Sequence, residues 1–282
     1  MSGGLKDRIR VLHRLGACIL GREADLSVQT SFDRLLSEAI RLAILDNCWF
    51  GARSARYALD TIARCMLQEN LLKDWVEKYP SSLLNRENST FCVGAILAGN
   101  IPLVGFYDVL CALMSGAKVL VKPSSKDKRL LSMLIDVSNN VLSDNVLDIE
   151  FVDRNALGVC DALLVSGGDE SIEAIRATWP IIPMLLRKGR TSVAVLTGEE
   201  SEEDLRRLSE DVFLYHGFGC RSVGKIYIPN KEYLNKISAV FCRASESPIF
   251  ESVNAEYVAA LRNLRARKVI LEDVFSDGGS VL

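Results

Sequence analysis

The chain has 282 residues and almost no net charge, a formal -2 from 34 basic and 36 acidic side chains. Its basic residues are interspersed with acids rather than massed, so there is no electrostatic footprint for nucleic acid. Eight cysteines are present, but no paired C-x-x-C spacings, which argues against both a zinc site and a disulfide framework. Reduced thiols in a cytoplasm are the simplest account. The polar start, Met1-Ser2-Gly3-Gly4-Leu5-Lys6-Asp7-Arg8, lacks the apolar core of a signal peptide. A long apolar run is missing too. Residues 91–121 are the most apolar stretch, and Asn100, Pro102 and Asp108 interrupt them, whereas a membrane helix needs roughly 20 largely uninterrupted apolar residues. There is no internal repeat, no low-complexity tract and no G-x-G-x-x-G. What remains is an ordinary globular composition, 49% hydrophobic and 25% charged, enough for one large domain or two smaller ones.

Residues 1–85 read as a helical segment. Leu59, Ile62 and Met66 recur at three- and four-residue intervals, the spacing of one helix face, and Pro80-Ser81-Ser82 closes the segment. From Phe91 the pattern changes to short apolar runs alternating with amphipathic ones. Strands are expected at 92–98, 118–122, 149–152, 162–165 and 192–196, with helices at about 103–114, 128–137 and 171–178. Such alternation indicates βαβ units and a parallel sheet. The continuous apolar run Ala162-Leu163-Leu164-Val165 suits a strand covered on both faces. The acidic run Glu199 to Asp204 opens a further helix, where acids complement the helix dipole. The domain division expected is 1–85 helical, 86–197 dinucleotide-binding α/β and 198–282 catalytic.

Four segments carry candidate chemistry. Phe218-Gly219-Cys220-Arg221 sets a cysteine between glycine and a basic residue, just before the β-like run Ile226 to Pro229. Glycine lets a ligand approach closely, and nearby positive charge favours the thiolate. The other cysteines lie in apolar contexts and read as small buried hydrophobes. In Gly99-Asn100-Ile101-Pro102-Leu103 the Asn100 amide can donate to an oxygen gaining charge, or simply cap the helix, with Pro102 at its first position. Lys122, Ser124 and Ser125 follow a strand, where a ribose or phosphate binds in open α/β sheets; a solvated turn is the alternative. Gly167 and Gly168 open a helix, as in many dinucleotide sites. His216, four residues before Cys220, reads as a packing or loop residue rather than a base, and His13 as surface.

In this order these segments resemble the aldehyde dehydrogenase superfamily, and within it the LuxC-type acyl-CoA reductases. The resemblance rests on Ala98 to Leu103, Val119 to Ser125, Arg190 to Gly198 and Gly217 to Arg221, with Asn47 to Phe50 and Trp75 to Pro80 upstream, and covers roughly residues 30–230. It implies a Rossmann-like parallel sheet of aldehyde dehydrogenase type behind an N-terminal helical segment. It also implies roles: Cys220 as acyl-accepting nucleophile, Asn100 and the Cys220 backbone N–H as oxyanion donors, Lys122 at the adenosine ribose or its phosphate, and Gly167 and Gly168 near the pyrophosphate.

Two departures from ordinary aldehyde dehydrogenases sharpen this expectation. The acid three residues after the lysine, which repels a 2′-phosphate, is replaced by Ser125 followed by Lys126, which favours NADPH (NADP) over NADH. The general-base glutamate is replaced by Arg187; without that base water is poorly activated, whereas a thiol such as coenzyme A needs less help. The expected activity is therefore NADPH-dependent reduction of an acyl-CoA to an aldehyde, in the cytoplasm. Oxidation of free aldehyde, or a non-catalytic binding subunit, are the alternatives. The chain stops at Ser280-Val281-Leu282, at what resembles the start of a strand. This leads to the expectation of a catalytic domain cut short, whose exposed apolar surface favours association into a homo-oligomer.

Overall fold

The structure is a computed structural model that describes residues 4–80, 90–142, 146–245 and 280–281. Ser81 and Ser82, expected to close the helical segment, and Leu282 lie outside the described residues. The chain divides into two compact units, Met1–Asn47 with Ala55–Lys188, and Cys48–Ser54 with Gly189–Leu282.

The first unit begins with helices α1 (Leu5–Ile19), α2 (Leu26–Asp46), α3 (Ala52–Cys65) and α4 (Glu69–Val76). Asp25 caps α2 by accepting the N–H groups of Ser27 and Val28. His13, expected at the surface, is half-buried instead, its Nδ1 at 3.3 Å from the Leu67 carbonyl. Strands and helices then alternate: β1 (Cys92–Ile96), α5 (Phe106–Met114), β2 (Lys118–Lys122), α6 (Arg129–Val137), β3 (Ile149–Phe151), β4 (Ala162–Ser166), α7 (Asp169–Thr178) and β5 (Met184–Arg187). All pairings are parallel, in the order β3-β2-β1-β4-β5. That order reverses direction between β1 and β4, the position at which open α/β sheets bind ligands beyond their strand ends.

β1 is buried along its whole length, as a central strand must be. β4 is not. Its Leu163 and Val165 are buried, but Ala162, Leu164 and Ser166 are only partly so, because the strand lies toward the β5 edge of the sheet. On the buried side Cys92, Ile96, Leu120, Leu163 and Val165 pack with Ile172 and Ile175 of α7.

The second unit carries β6 (Ser192–Val195), α8 (Glu202–Phe213), β7 (Val223–Ile228), α9 (Tyr233–Ser245) and β8 (Ser280–Val281). β6 and β7 are parallel, and β8 joins β7 antiparallel. The acidic run begins α8 as expected: Ser201 accepts the Asp204 N–H while the Asp204 carboxylate takes the Ser201 N–H, a reciprocal cap. Leu205, Ile226, Ile228, Tyr233, Ile237 and Val240 form this unit's core.

Candidate functional site

Three of the four candidate segments meet at one edge of the first unit's sheet. Gly99 and Asn100 follow β1, Lys122 ends β2 with Ser124 and Ser125 beyond it, and Gly167 and Gly168 follow β4. Since β2, β1 and β4 are consecutive neighbours running the same way, all three turns leave the carboxyl edge side by side. Asn100 does not cap a helix. The helix begins at Phe106 rather than near Leu103, with Gly105 at its N-cap and no side-chain cap bond. Pro102 therefore sits in a turn ahead of the helix, not at its first position. Leu103 has φ 57°, in the left-handed region, so the chain turns once more before the helix starts.

This turn and the Lys122 turn fit closely. A Cβ at Gly99 would overlap the Ser124 side chain and lie 3.2 Å from the Asp127 nitrogen, so only glycine allows the approach. Asp127, between Lys126 and Lys128, is 6% exposed. Its Oδ2 accepts the Leu103 N–H at 2.7 Å, and the Val104 N–H, which donates to the Ile101 carbonyl at 3.4 Å, also favours the charged carboxyl. Burial pushes this carboxyl up to about 7, against the pull of the two backbone N–H groups. Asn47 closes the far side by donating to the Lys126 carbonyl at 3.3 Å. Ser125 and Lys126 are exposed.

The third turn opens α7. Around Gly168 an added Cβ would meet nothing within 4 Å, so the helix N-terminus faces open space. Asp169 and Glu170 occupy that first turn, suiting the dipole but competing with an anion for it. Behind the turn, the buried Asp108 of α5 takes the Ser166 hydroxyl at 3.0 Å and the Arg187 guanidinium at 2.9 Å. Sequence reading treated Asp108 only as an interruption of an apolar run. Elsewhere on this unit an open groove of about 570 Å³ lies between α7 and β5, over Trp179, Ile182, Met184 and Leu186; it contains none of the predicted site residues.

Cys220 belongs to the second unit and is exposed there. It occupies the second position of a tight turn closed by the Ser222 N–H on the Gly219 carbonyl at 2.9 Å, and its own carbonyl accepts the Ser192 hydroxyl at 3.5 Å. The approach to this turn is unusual backbone: Tyr215, His216 and Gly217 have φ of 54°, 56° and 74° in succession. Two non-glycine residues in that region cost roughly 1–3 kcal/mol each and persist only where the surroundings hold them. Part of that support is aromatic. The Trp49 ring meets His216 edge-on at 6.1 Å and Phe218 at 4.9 Å, all within this unit. His216 thus packs, as its sequence context suggested. The thiol is not alone in its exposure, however. Cys48 and Cys65 are exposed too, against the expectation that the other cysteines are buried, while Cys18, Cys92 and Cys160 are buried as expected.

The carboxyl-edge turns suit a dinucleotide on three grounds. The sheet reverses order there, a helix N-terminus with room around Gly168 stands at the reversal, and the exposed Ser125 puts no negative charge beside Lys122. Among the described residues no three histidine, cysteine or acidic side chains gather as a metal site, and no helix is long and apolar enough to cross a membrane.

Comparison with known proteins agrees with this geometry. The family model described as "Acyl-CoA reductase (LuxC)" matches residues 55–244. A long-chain acyl-protein thioester reductase of Aliivibrio fischeri is 23% identical over 146 residues, 47% of this chain and 30% of that protein. Among solved structures, aldehyde dehydrogenase C of Pseudomonas syringae with NAD+ and octanal superposes with a TM-score of 0.58 at 14% identity, covering 86% of this chain and 50% of its own. The NAD+ complex of an aldehyde dehydrogenase from Bacillus cereus gives 0.57 at 17% identity, again 86% and 50%. The chain thus spans about half the length of these structures and shares their fold. The family match takes in well over half of it, and the chain belongs to the acyl-CoA reductase (LuxC) family.

Proposed function

From that membership we propose that the chain reduces an acyl thioester to an aldehyde, with Cys220 as nucleophile and NADPH as reductant. The observation that carries the proposal is the exposed Cys220 thiol on a tight turn, approached by three left-handed residues and braced by Trp49. The Cys220 thiolate attacks the thioester carbonyl, a new C–S bond forms, and the bond to the departing thiol breaks, leaving a thioacyl-enzyme. When bound, NADPH supplies the hydride that reduces this acyl carbon. The resulting thiohemiacetal collapses, the C–S bond to Cys220 breaks, and aldehyde leaves. The Asn100 amide and the Cys220 N–H are assigned as donors to the oxygen that gains charge in both tetrahedral species. Lys122, Ser124 and Ser125 are assigned to the adenosine ribose and its phosphate, with Gly167 and Gly168 at the pyrophosphate. Arg187, tied to Asp108, cannot act as a base for water, which supports exchange with a thiol over hydrolysis. Reduced thiols and a soluble thioester fit a cytoplasmic setting.

Acyl-CoA is the proposed substrate. A second reading, in which the thioester is carried on a protein, is favoured by the Aliivibrio fischeri relative, which is named for an acyl-protein thioester. NADPH consumption by the purified protein with acyl-CoA and, separately, with an acylated protein thioester distinguishes the two. Cys220→Ser should abolish reduction and leave NADPH binding unchanged. Asn100→Ala should lower turnover about 100- to 1,000-fold with little change in cofactor affinity. Continued reduction by Cys220→Ser overturns the covalent scheme, and oxidation of free aldehyde that ignores CoA favours dehydrogenase activity instead.

A further inference from the structure

We propose that Asp127 is a positioning residue: its buried carboxyl locks the Asn100 turn against the Lys122–Lys126 turn, so that the donor amide and the cofactor loop are set as one piece. This rests on the donor role proposed for Asn100. Neither reaction step touches Asp127, yet it is the buried carboxyl at which the two turns meet. Oδ2 takes the N–H of Leu103 at 2.7 Å. The Leu103 N–H precedes the first helical residue, Phe106, and belongs to no strand ladder, so an acceptor must be supplied to it, whereas the Val104 N–H already donates to the Ile101 carbonyl at 3.4 Å. Leu103 is also the residue with φ 57°, a conformation that persists only where its surroundings over-determine it. A bond to its own N–H supplies that determination.

From the other direction Asp127 is fixed by its own turn. Its N–H donates to the Ser124 carbonyl at 3.2 Å, the Lys126 N–H reaches the Ser124 hydroxyl at 3.3 Å, and Asn47 holds the Lys126 carbonyl. Gly99 removes the side chain that would keep the turns apart. Only Oδ1 of this carboxyl has no partner among the described residues. A group placed merely to fill this space would be apolar, since an unpartnered buried oxygen is unfavourable. A carboxyl is there because the backbone N–H of Leu103, three residues beyond Asn100, needs an acceptor at a fixed point.

The test is a double-mutant cycle between Asp127→Ala and Asn100→Ala, read as kcat and KM for NADPH-dependent thioester reduction, with hydrogen exchange of the Leu103 and Val104 amides. Asp127→Ala should lower kcat about 10- to 100-fold, the loss expected from a donor displaced by about an ångström, while KM for the thioester stays within about threefold. Asp127→Asn, which keeps an acceptor oxygen, should recover most of that loss. In the Asn100→Ala background Asp127→Ala should cost at least about tenfold less in kcat, because the donor it positions is gone and only its hold on the cofactor loop remains. An equal loss in both backgrounds overturns the inference and leaves the donor role of Asn100 standing. Undiminished kcat in Asn100→Ala overturns the donor role instead. Exchange then judges the anchoring alone: faster exchange at Leu103 and Val104 in Asp127→Ala upholds it, and unchanged exchange overturns it. Where alanine prevents folding, Asp127→Ser, which retracts the polar atom from Leu103, takes its place in the cycle.

Discussion

Replacing Asp127 by asparagine should flatten the pH dependence of the first unit's stability. Burial pushes this carboxyl from an ordinary 3.8 to about 7 in the folded chain. In the unfolded chain the ordinary value returns, so between about pH 4 and pH 7 the native state binds more protons than the unfolded one. Stability from this group is therefore fully present below pH 4 and is lost as pH rises through 7. A displacement of about three pKa units corresponds to about 4 kcal/mol over the whole range, of which about 3 kcal/mol falls between pH 5 and pH 8. Oδ1, the oxygen with no partner among the described residues, can carry the proton below about pH 7 while Oδ2 accepts from Leu103. Asparagine keeps the acceptor and removes the titration. Asp136, also raised by burial, is present in both proteins and cancels in the difference.

The assay is urea unfolding at pH 5, 6, 7 and 8, followed by tryptophan fluorescence in a Trp49→Phe background. The remaining tryptophans, Trp75 and Trp179, both lie in the first unit. Two proteins are compared, one carrying Trp49→Phe alone and the other carrying Asp127→Asn in addition. The gap between their unfolding free energies should move by about 3 kcal/mol in favour of the asparagine protein from pH 5 to pH 8. A gap that stays constant to within about 0.5 kcal/mol, the scatter of such measurements, refutes the reasoning. Water would then reach the carboxyl, and its burial would not govern its proton.

Gly99→Ala should destabilise the protein by about 1–3 kcal/mol, because the new methyl overlaps Ser124; unchanged urea midpoints would show that the two turns do not touch. Thiol alkylation followed by peptide mapping should label Cys48, Cys65 and Cys220 rapidly in the native protein. Cys18 and Cys160, whose thiols burial pushes up to about 12, should react only in denaturant, and rapid native labelling of either would contradict their packing.

Where local pattern and tertiary packing agree, the sequence is readable to the residue. β2 runs from Lys118 to Lys122 as its apolar run between turn residues indicates. The three carboxyl-edge turns follow, because strands alternating with helices leave their connections at that edge. The helix start near Leu103 fails for a physical reason. Pro102 suits a first helical position in isolation, but Asp127 captures the Leu103 N–H from 24 residues away and sets a left-handed turn instead. Likewise Cys48 and Cys65 have apolar neighbours in sequence, which describes their elements and not the direction in which each thiol points. β5 escaped notice as a strand because Pro180 and Pro183 precede a run of only four residues.

The couplings that matter most were visible only as blemishes. Arg8, Asp108 and Asp127 are ionisable residues with no place in the apolar pattern, and all three are buried. Each ties its element to a distant one: Arg8 of α1 to the Met114 carbonyl at 3.5 Å, Asp108 of α5 to Ser166 and Arg187, and Asp127 to the Asn100 turn. A buried charge is tolerated only when its partners are in place, so such a residue marks a junction that must assemble as a unit. Two of these three junctions stand at the carboxyl edge of the sheet, where the turns assigned to cofactor and donor also lie. Chemistry at that edge requires turns held to fractions of an ångström, which apolar packing alone, being non-directional, does not specify. Directional bonds from Asp108 and Asp127 do, and this is why the acids sit where the hydrophobic pattern has no place for them.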